Sequence, residues 1–222
     1  MSELGTKPRG EEPAADRRDR ILDAAGRCFA RAGFHRTTMN DVAQEAGMTA
    51  GNLYRYFASK DALVAGLCER DRADLAAEFE AFQPEPGNFL AAFAAFGRKH
   101  FEDGERDKAA LCLEIWAEAA RNPLVAGVHN EFDRDIIRHL IQIFEDAKRS
   151  GAMAPDVDST AAASILAKLA DGLFVRRAIA PDFDPDREIR EVFAVVKALV
   201  DGAIVLSRAA GGTEDRPCSP AA

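Results

Sequence analysis

The stretch TTMNDVAQEAGMTAGNLYRYFASK, Thr37 to Lys60, gathers side chains suited to one chemistry, the non-covalent reading of a phosphate polymer. Asn52 carries a donor and an acceptor that can pair with one base edge, and the small Ala50 and Gly51 beside it permit close approach to bases or thymine methyls. The hydroxyls of Thr38, Thr49, Tyr54 and Tyr56, the N–H groups of a helix start and the Lys60 ammonium suit phosphate oxygens, and Arg55 adds a guanidinium on the same face. The competing reading makes the aromatics ordinary core. It fits Phe57, but both tyrosines cannot share the Phe57 face while the same helix buries Leu53.

Nothing comparable points to catalysis, since no GxSxG, P-loop, GxGxxG or HExxH pattern occurs. Cys28, Cys68, Cys112 and Cys218 lie far apart, without a CxxC pair or histidines at ligand spacing, and read as reduced thiols with no metal or disulfide role. No cofactor is expected. No apolar run reaches the roughly 18 residues of a membrane span, and the polar N-terminus lacks the apolar centre of a signal peptide, so a cytoplasmic protein is expected.

The chain of 222 residues has a formal charge of -8, which sits badly with a nucleic-acid partner until the charge is placed. Between Ala14 and Lys60 stand eight Lys/Arg against five Asp/Glu, so a basic head precedes an acidic body.

The elements that must position the Thr37–Lys60 side chains are helical. Ile21, Leu22, Ala25, Phe29 and Ala32 recur at helical spacing up to Gly33. Thr38 with Asp41 three residues on forms a capping box for a two-turn helix that Gly47 breaks. Thr49 caps the next helix, carrying Leu53 and Phe57. Met39, Val42, Ala43, Met48, Leu53 and Phe57 then form the small core of a helix-turn-helix. A longer helix follows Ser59, and QPEPGN (83–88) reads as a break.

Further helices are expected over Phe89–Glu102, Asp107–Arg121, Pro123–Arg149, Ser159–Ala180 and Pro185–Arg208, with Asn122-Pro123 and Asp184-Pro185 as cap-and-proline starts. No segment alternates with period two, so the fold class is all-α. Residues 1–15 and 209–222 are expected as disordered arms, 16–60 as the DNA-binding domain and 61–208 as the helical body.

The residues from RILDAAGRCFARAGF through TTMNDVAQEAGMTAGNLYRYFASKDALV, about 17 to 64, resemble the DNA-binding domain of the tetracycline-repressor (TetR/AcrR-type) family, with GNLYRYFxSK as the most specific element. The resemblance implies a three-helix head on a helical effector-binding and dimerisation domain. It implies a homodimeric repressor that leaves a near-palindromic operator when a small molecule binds the body. Its DNA contacts fall on Thr38, Thr49, Gly51, Asn52, Tyr54, Tyr56 and Lys60. Ala50 departs from the lysine or arginine common there, with the variable Arg55 as a substitute contact.

In the body, Phe89, Phe93, Phe96, Cys112, Trp116, Phe132 and Phe174 are candidates for an effector pocket, against the commoner reading of such side chains at helical spacing as ordinary core. Glu114 and Glu118 flank Trp116 and would draw a cation if they line that pocket. The last two helices bear apolar stripes including Ile165, Leu169 and Leu173 on one and Val192, Val196, Leu199 and Ala203 on the other, expected by the resemblance to pair across a dimer. The rival reading is a DNA-binding protein whose body docks another protein; a cavity in the body favours a small molecule, a filled core with an exposed apolar patch favours the rival.

Overall fold

The computed structural model describes residues 13–102 and 106–204, and the expected tail and nearly all of the expected N-terminal arm lie outside them. The described residues form nine α-helices: α1 (Ala14–Ala32), α2 (Met39–Glu45), α3 (Ala50–Tyr54), α4 (Lys60–Ala81), α5 (Phe89–Glu102), α6 (Arg106–Ala119), α7 (Pro123–Arg149), α8 (Ser159–Ile179) and α9 (Pro185–Val200). No strand occurs among them. Because α1 begins at Ala14, two residues assigned to the arm belong to the helix.

Side-chain caps set the starts. The Thr38 hydroxyl accepts from Asp41 N–H while the Asp41 carboxylate accepts from Thr38 N–H, the reciprocal pairing of a capping box. Thr49, Ser59, Asn122, Asp158 and Asp184 cap α3, α4, α7, α8 and α9 more simply, the side-chain oxygen accepting from backbone N–H of the first turn, each cap contributing about 1 kcal/mol. Between α2 and α3 the chain turns at Gly47, whose φ of 68° lies in the region that penalises a Cβ. Since α3 has only five residues, Phe57 buries from the turn after it instead of from the helix.

The last helix is shorter than expected. Gly202 takes φ 71°, and the N–H groups of Ala203 and Ile204 turn back onto Ala198 O at 2.9 and 3.1 Å. The Val200 carbonyl is taken by Ala154 N–H at 2.9 Å. These bonds close the helix at Val200 with a glycine end motif, where apolar periodicity alone continued it to Arg208.

Two cores result. The first joins Ile21, Leu22 and Phe29 of α1 to Val42, Leu53, Phe57, Leu63 and Leu67, with Met39, Ala43 and half-buried Met48 completing the helix-turn-helix. Leu111 and Ile115 of α6 and Val125 of α7 also pack into it, so the head has no separate core. The second holds Phe79, Phe89, Phe93, Leu140, Phe144, Val196 and Val200 in the body.

Candidate nucleic-acid interface and effector cavity

The face built by α3 carries Thr49, Gly51, Tyr54 and Arg55 exposed to solvent, with Tyr54 at 53%. At Gly51 nothing lies within 4 Å of where a Cβ would stand, so the backbone itself is open to close approach. Asn52 is half-buried beside it, its N–H donating to Thr49 Oγ1 at 3.3 Å. Ala50 and Tyr56 pack partly against the head core, which moves Ala50 off the open face. The Tyr56 hydroxyl instead meets the Arg17 guanidinium at 3.4 Å, a partner on α1 that the sequence reading did not single out.

Lys60 differs most from expectation. Its Nζ donates to Phe34 O at 2.6 Å and His35 O at 3.3 Å and sits 4.4 Å from the centre of the Phe34 ring. The ammonium therefore bridges the start of α4 to the α1–α2 corner in the protein free of DNA. Several head arginines are likewise engaged: Arg27 and Arg31 on Glu45, and Arg18 on Glu69. These pairs are exposed and cost little to exchange for phosphate.

The same corner is clamped to the body. Glu114 of α6 accepts from Phe34 N–H at 2.9 Å. One turn further on, Glu118, 4% exposed, takes hydrogen bonds from Arg121 and Asn122 at 3.1 Å and lies 3.2 Å from His35 Nε2. Burial opposes its charge, but Asn122, Arg121 and His35 together outweigh that and hold the carboxyl below the usual carboxylate range. Asn122 also donates to Asp61 of α4 at 3.0 Å. Glu114 and Glu118 are thus committed to holding the head, and do not line a pocket as their flanking of Trp116 suggested.

Two adjoining cavities open between the body helices. One, of about 120 Å³, is lined by Phe79, Phe93, Phe96, Leu140, Leu166 and Phe193. The other, of about 140 Å³, is lined by Cys112, Trp116, His129 and Phe132, with Asp71, Asp74 and Lys108. Leu75, Asp133, Ile136, Asp171 and Phe174 form walls of both. Six of the seven pocket candidates are therefore present; Phe89 is not, because it stacks on Phe93 and meets Phe82 edge-on inside the core.

The acidic lining was missed by the sequence reading. Its signal was available: Asp71, Asp74 and Glu78 share the face of α4 that carries Leu75, and Asp171 interrupts the apolar run LAKLADGLF. Burial pushes the Asp71 carboxyl up, and partial desolvation with the nearby Asp133 charge does so for Asp171, which still reaches solvent and is therefore the less strongly held of the two. Cys112 is pushed up to about 12 by burial, then by Asp71, so its thiol is inert as a nucleophile.

Comparison with known proteins agrees with this architecture at both ends. Residues 21–67 match the family described as bacterial regulatory proteins, tetR family, and residues 90–205 match the BetI-type transcriptional repressor C-terminal family. The chain belongs to the tetR family. As such it is a DNA-binding transcriptional regulator that acts as a dimer.

Among tetR-family relatives, the HTH-type transcriptional regulator UidR of Escherichia coli strain K12 is 29% identical over 195 residues, 86% of this chain and 94% of its own. The structure of Salmonella enterica GusR superposes with a TM-score of 0.72 at 28% identity, covering 86% of this chain and 98% of that one. A transcriptional regulator from Saccharomonospora viridis in complex with choline gives a TM-score of 0.67 at 22% identity, covering 82% and 96%, a likeness of fold.

For a tetR-family dimer the candidate interface residues need revision. Leu173, Val196 and Leu199 are 4%, 1% and 3% exposed within one chain and face its own core. Val192 lines the apolar cavity, and Ala203 lies beyond the end of α9. Ile165 and Leu169 remain half-buried on α8, beside exposed Gly172, and the corresponding outer positions of α9 are Ala194, Val195 and Ala198. No described helix is long and apolar enough to cross a membrane.

Proposed function

We infer that this regulator is a cytoplasmic repressor that grips a near-palindromic operator through α3 and lets go when a small molecule enters the body cavity. The observation that carries the reading is the dual use of α6. Cys112 and Trp116 line the cavity, while Glu114 and Glu118 on the same 14-residue helix hold the α1–α2 corner of the head. A ligand that shifts α6 must strain that clamp. Helix α4 adds a second link, since Asp71 and Leu75 touch the cavity, Lys60 bonds the α1–α2 corner and Asp61 accepts from Asn122, which is also bonded to Glu118.

Asn52 reads bases from the start of α3, flanked by Thr49, Gly51, Tyr54, Arg55 and Tyr56, with Thr38 at the start of α2 reaching the adjoining backbone. Lys60 trades its carbonyl partners for a phosphate on docking. The two recognition helices of a dimer must stand about one DNA turn, ~34–36 Å, or a multiple apart, so a small tilt of each head loses one half-site. The dimer seam runs along Ile165, Leu169 and Gly172 of α8 and Ala194, Val195 and Ala198 of α9. The cavity favours a small-molecule effector over a docked protein.

Selection from random duplex DNA tests the head: the reading expects a near-palindrome whose affinity falls steeply with salt. Calorimetry of an effector with free and operator-bound protein tests the switch. Coupling is reciprocal, so the effector must bind the DNA complex more weakly by the factor by which it weakens DNA. Equal affinities would overturn effector release.

A further inference from the structure

We propose that the body cavity takes an organic cation bearing a short apolar arm, its charged group seated among Asp71, Asp133 and Asp171 and its arm in the phenylalanine-lined chamber. The inference rests on the effector reading above for the role of the cavity, and adds the class of ligand.

Three independent observations meet in this chamber. The first is charge. Asp71 and Asp74 on α4, Asp133 on α7 and Asp171 on α8 line one space from three helices, Asp71 and Asp133 half-buried and Asp74 and Asp171 at its solvent-exposed rim, and none of the four has an ion-pair partner among the described residues. Glu78, also on the wall, is paired with Lys99. The cations on the wall are Lys108 and, when protonated, His129. An anionic ligand would meet a net negative wall, whereas a cation relieves the repulsion between carboxylates.

The second is the ring geometry. Trp116 and Phe174 stand at 89° with centroids 6.3 Å apart, and Phe132 adds a third ring to the same chamber. Aromatic faces meeting at a right angle offer a cation electron-rich surfaces from two directions. The third is the adjoining chamber, which shares Asp133, Asp171 and Phe174 with the first but is otherwise walled by Phe79, Phe93, Phe96, Leu140 and Leu166. A group passing the shared carboxylates enters wholly apolar surroundings, fit for an alkyl or aryl arm.

The experiment holds the arm constant and changes the charge. Hexyltrimethylammonium, 1-hexanol and hexanoate are titrated calorimetrically into the full-length dimer, with tetramethylammonium as the armless cation. The cation is expected to bind at least about tenfold more tightly than the alcohol, with hexanoate weakest. In the isosteric double variant Asp133→Asn/Asp171→Asn the preference for the cation over the alcohol should shrink several-fold. Circular dichroism melting confirms that this variant is folded.

Alcohol or hexanoate binding as tightly as the cation overturns the charge assignment, as does a cation affinity unmoved by the double variant. Tetramethylammonium binding as tightly as its hexyl relative overturns the placement of the arm. A cation that binds as expected yet leaves operator affinity unchanged upholds this inference and overturns effector release.

Discussion

At the scale of single residues, what a side chain is doing before DNA arrives governs what its loss will cost. Tyr54 is exposed and its hydroxyl bonds no other described residue, so Tyr54→Phe should weaken binding to all sequences alike and leave the melting temperature in place. Asn52→Ala should instead cost about 1–3 kcal/mol of discrimination, read as competition between cognate and scrambled duplexes. Lys60→Met removes two carbonyl bonds and a ring contact as well as a charge, so it should lower both the salt dependence and the stability of the free protein. Residue chemistry in the head was legible because caps and turns are local: Thr38, Thr49, Ser59 and Gly47 act within four positions of themselves. The Lys60 bridge was not, because its partners sit 25 and 26 residues away.

The pocket carboxylates carry a pH prediction. The Asp171 and Asp71 carboxyls are raised in the folded protein, so ionising them is unfavourable there and stability falls as pH rises from the ordinary carboxylate range through their raised values. A bound cation favours the ionised forms, so its affinity should rise over that same interval and protons should be released on binding. The groups facing these two are Lys108, Arg70, Asp74, Cys68 and Cys112 on one side and His129, Asp133 and Lys168 on the other. Lys108 and Arg70 near Asp71, and Lys168 and protonated His129 near Asp171, work in the opposite direction. Cation titrations in buffers of different ionisation enthalpy would count the released protons; no release, with affinity flat across the interval, would contradict the raised carboxyls.

At the scale of elements, α6 is the piece to test. Glu118→Gln keeps shape but removes the charge that Arg121 and His35 hold, and should destabilise the chain by about 1–3 kcal/mol at neutral pH. Because the Glu118 carboxyl is held below the ordinary range when folded, its contribution is present above the unfolded value and is lost as pH falls through the folded one. The variant should therefore lose stability at neutral pH and converge with wild type in acid. On the neighbouring pair, Leu169→Asp on α8 or Ala198→Glu on α9 should turn the dimer into a folded monomer in sedimentation and abolish tight operator binding. The existence of these helices was readable from apolar period and caps. Which face turns inward was not, since α8 is apolar nearly all round: Leu173 is buried while Leu169, four residues before it, is only half so.

For the whole molecule, the basic head and acidic body recovered from the sequence are not two independently packed units. QPEPGN follows α4 as expected, yet the head core draws Leu111, Ile115 and Val125 from beyond it. A single thermal unfolding transition is expected for the full chain, and a fragment ending at Pro84 should be largely unfolded by circular dichroism. Such long-range closure leaves no trace in a local pattern; each of those residues reads equally well as part of a body stripe.

That shared core bears on how such a regulator could be re-engineered or could diversify by recombination. A crossover placed at the visible break after α4 would sever Val125, Leu111 and Ile115 from the helices they fill, and the hybrid would inherit a head with a hole in it. Working chimaeras should be those in which the α6–α7 corner travels with the DNA-reading helices, carrying Glu114, Glu118 and Asn122 along. The heritable module is then discontinuous in sequence: residues 14–81 plus the corner around 111–128, with the remainder of the body free to be exchanged for another specificity.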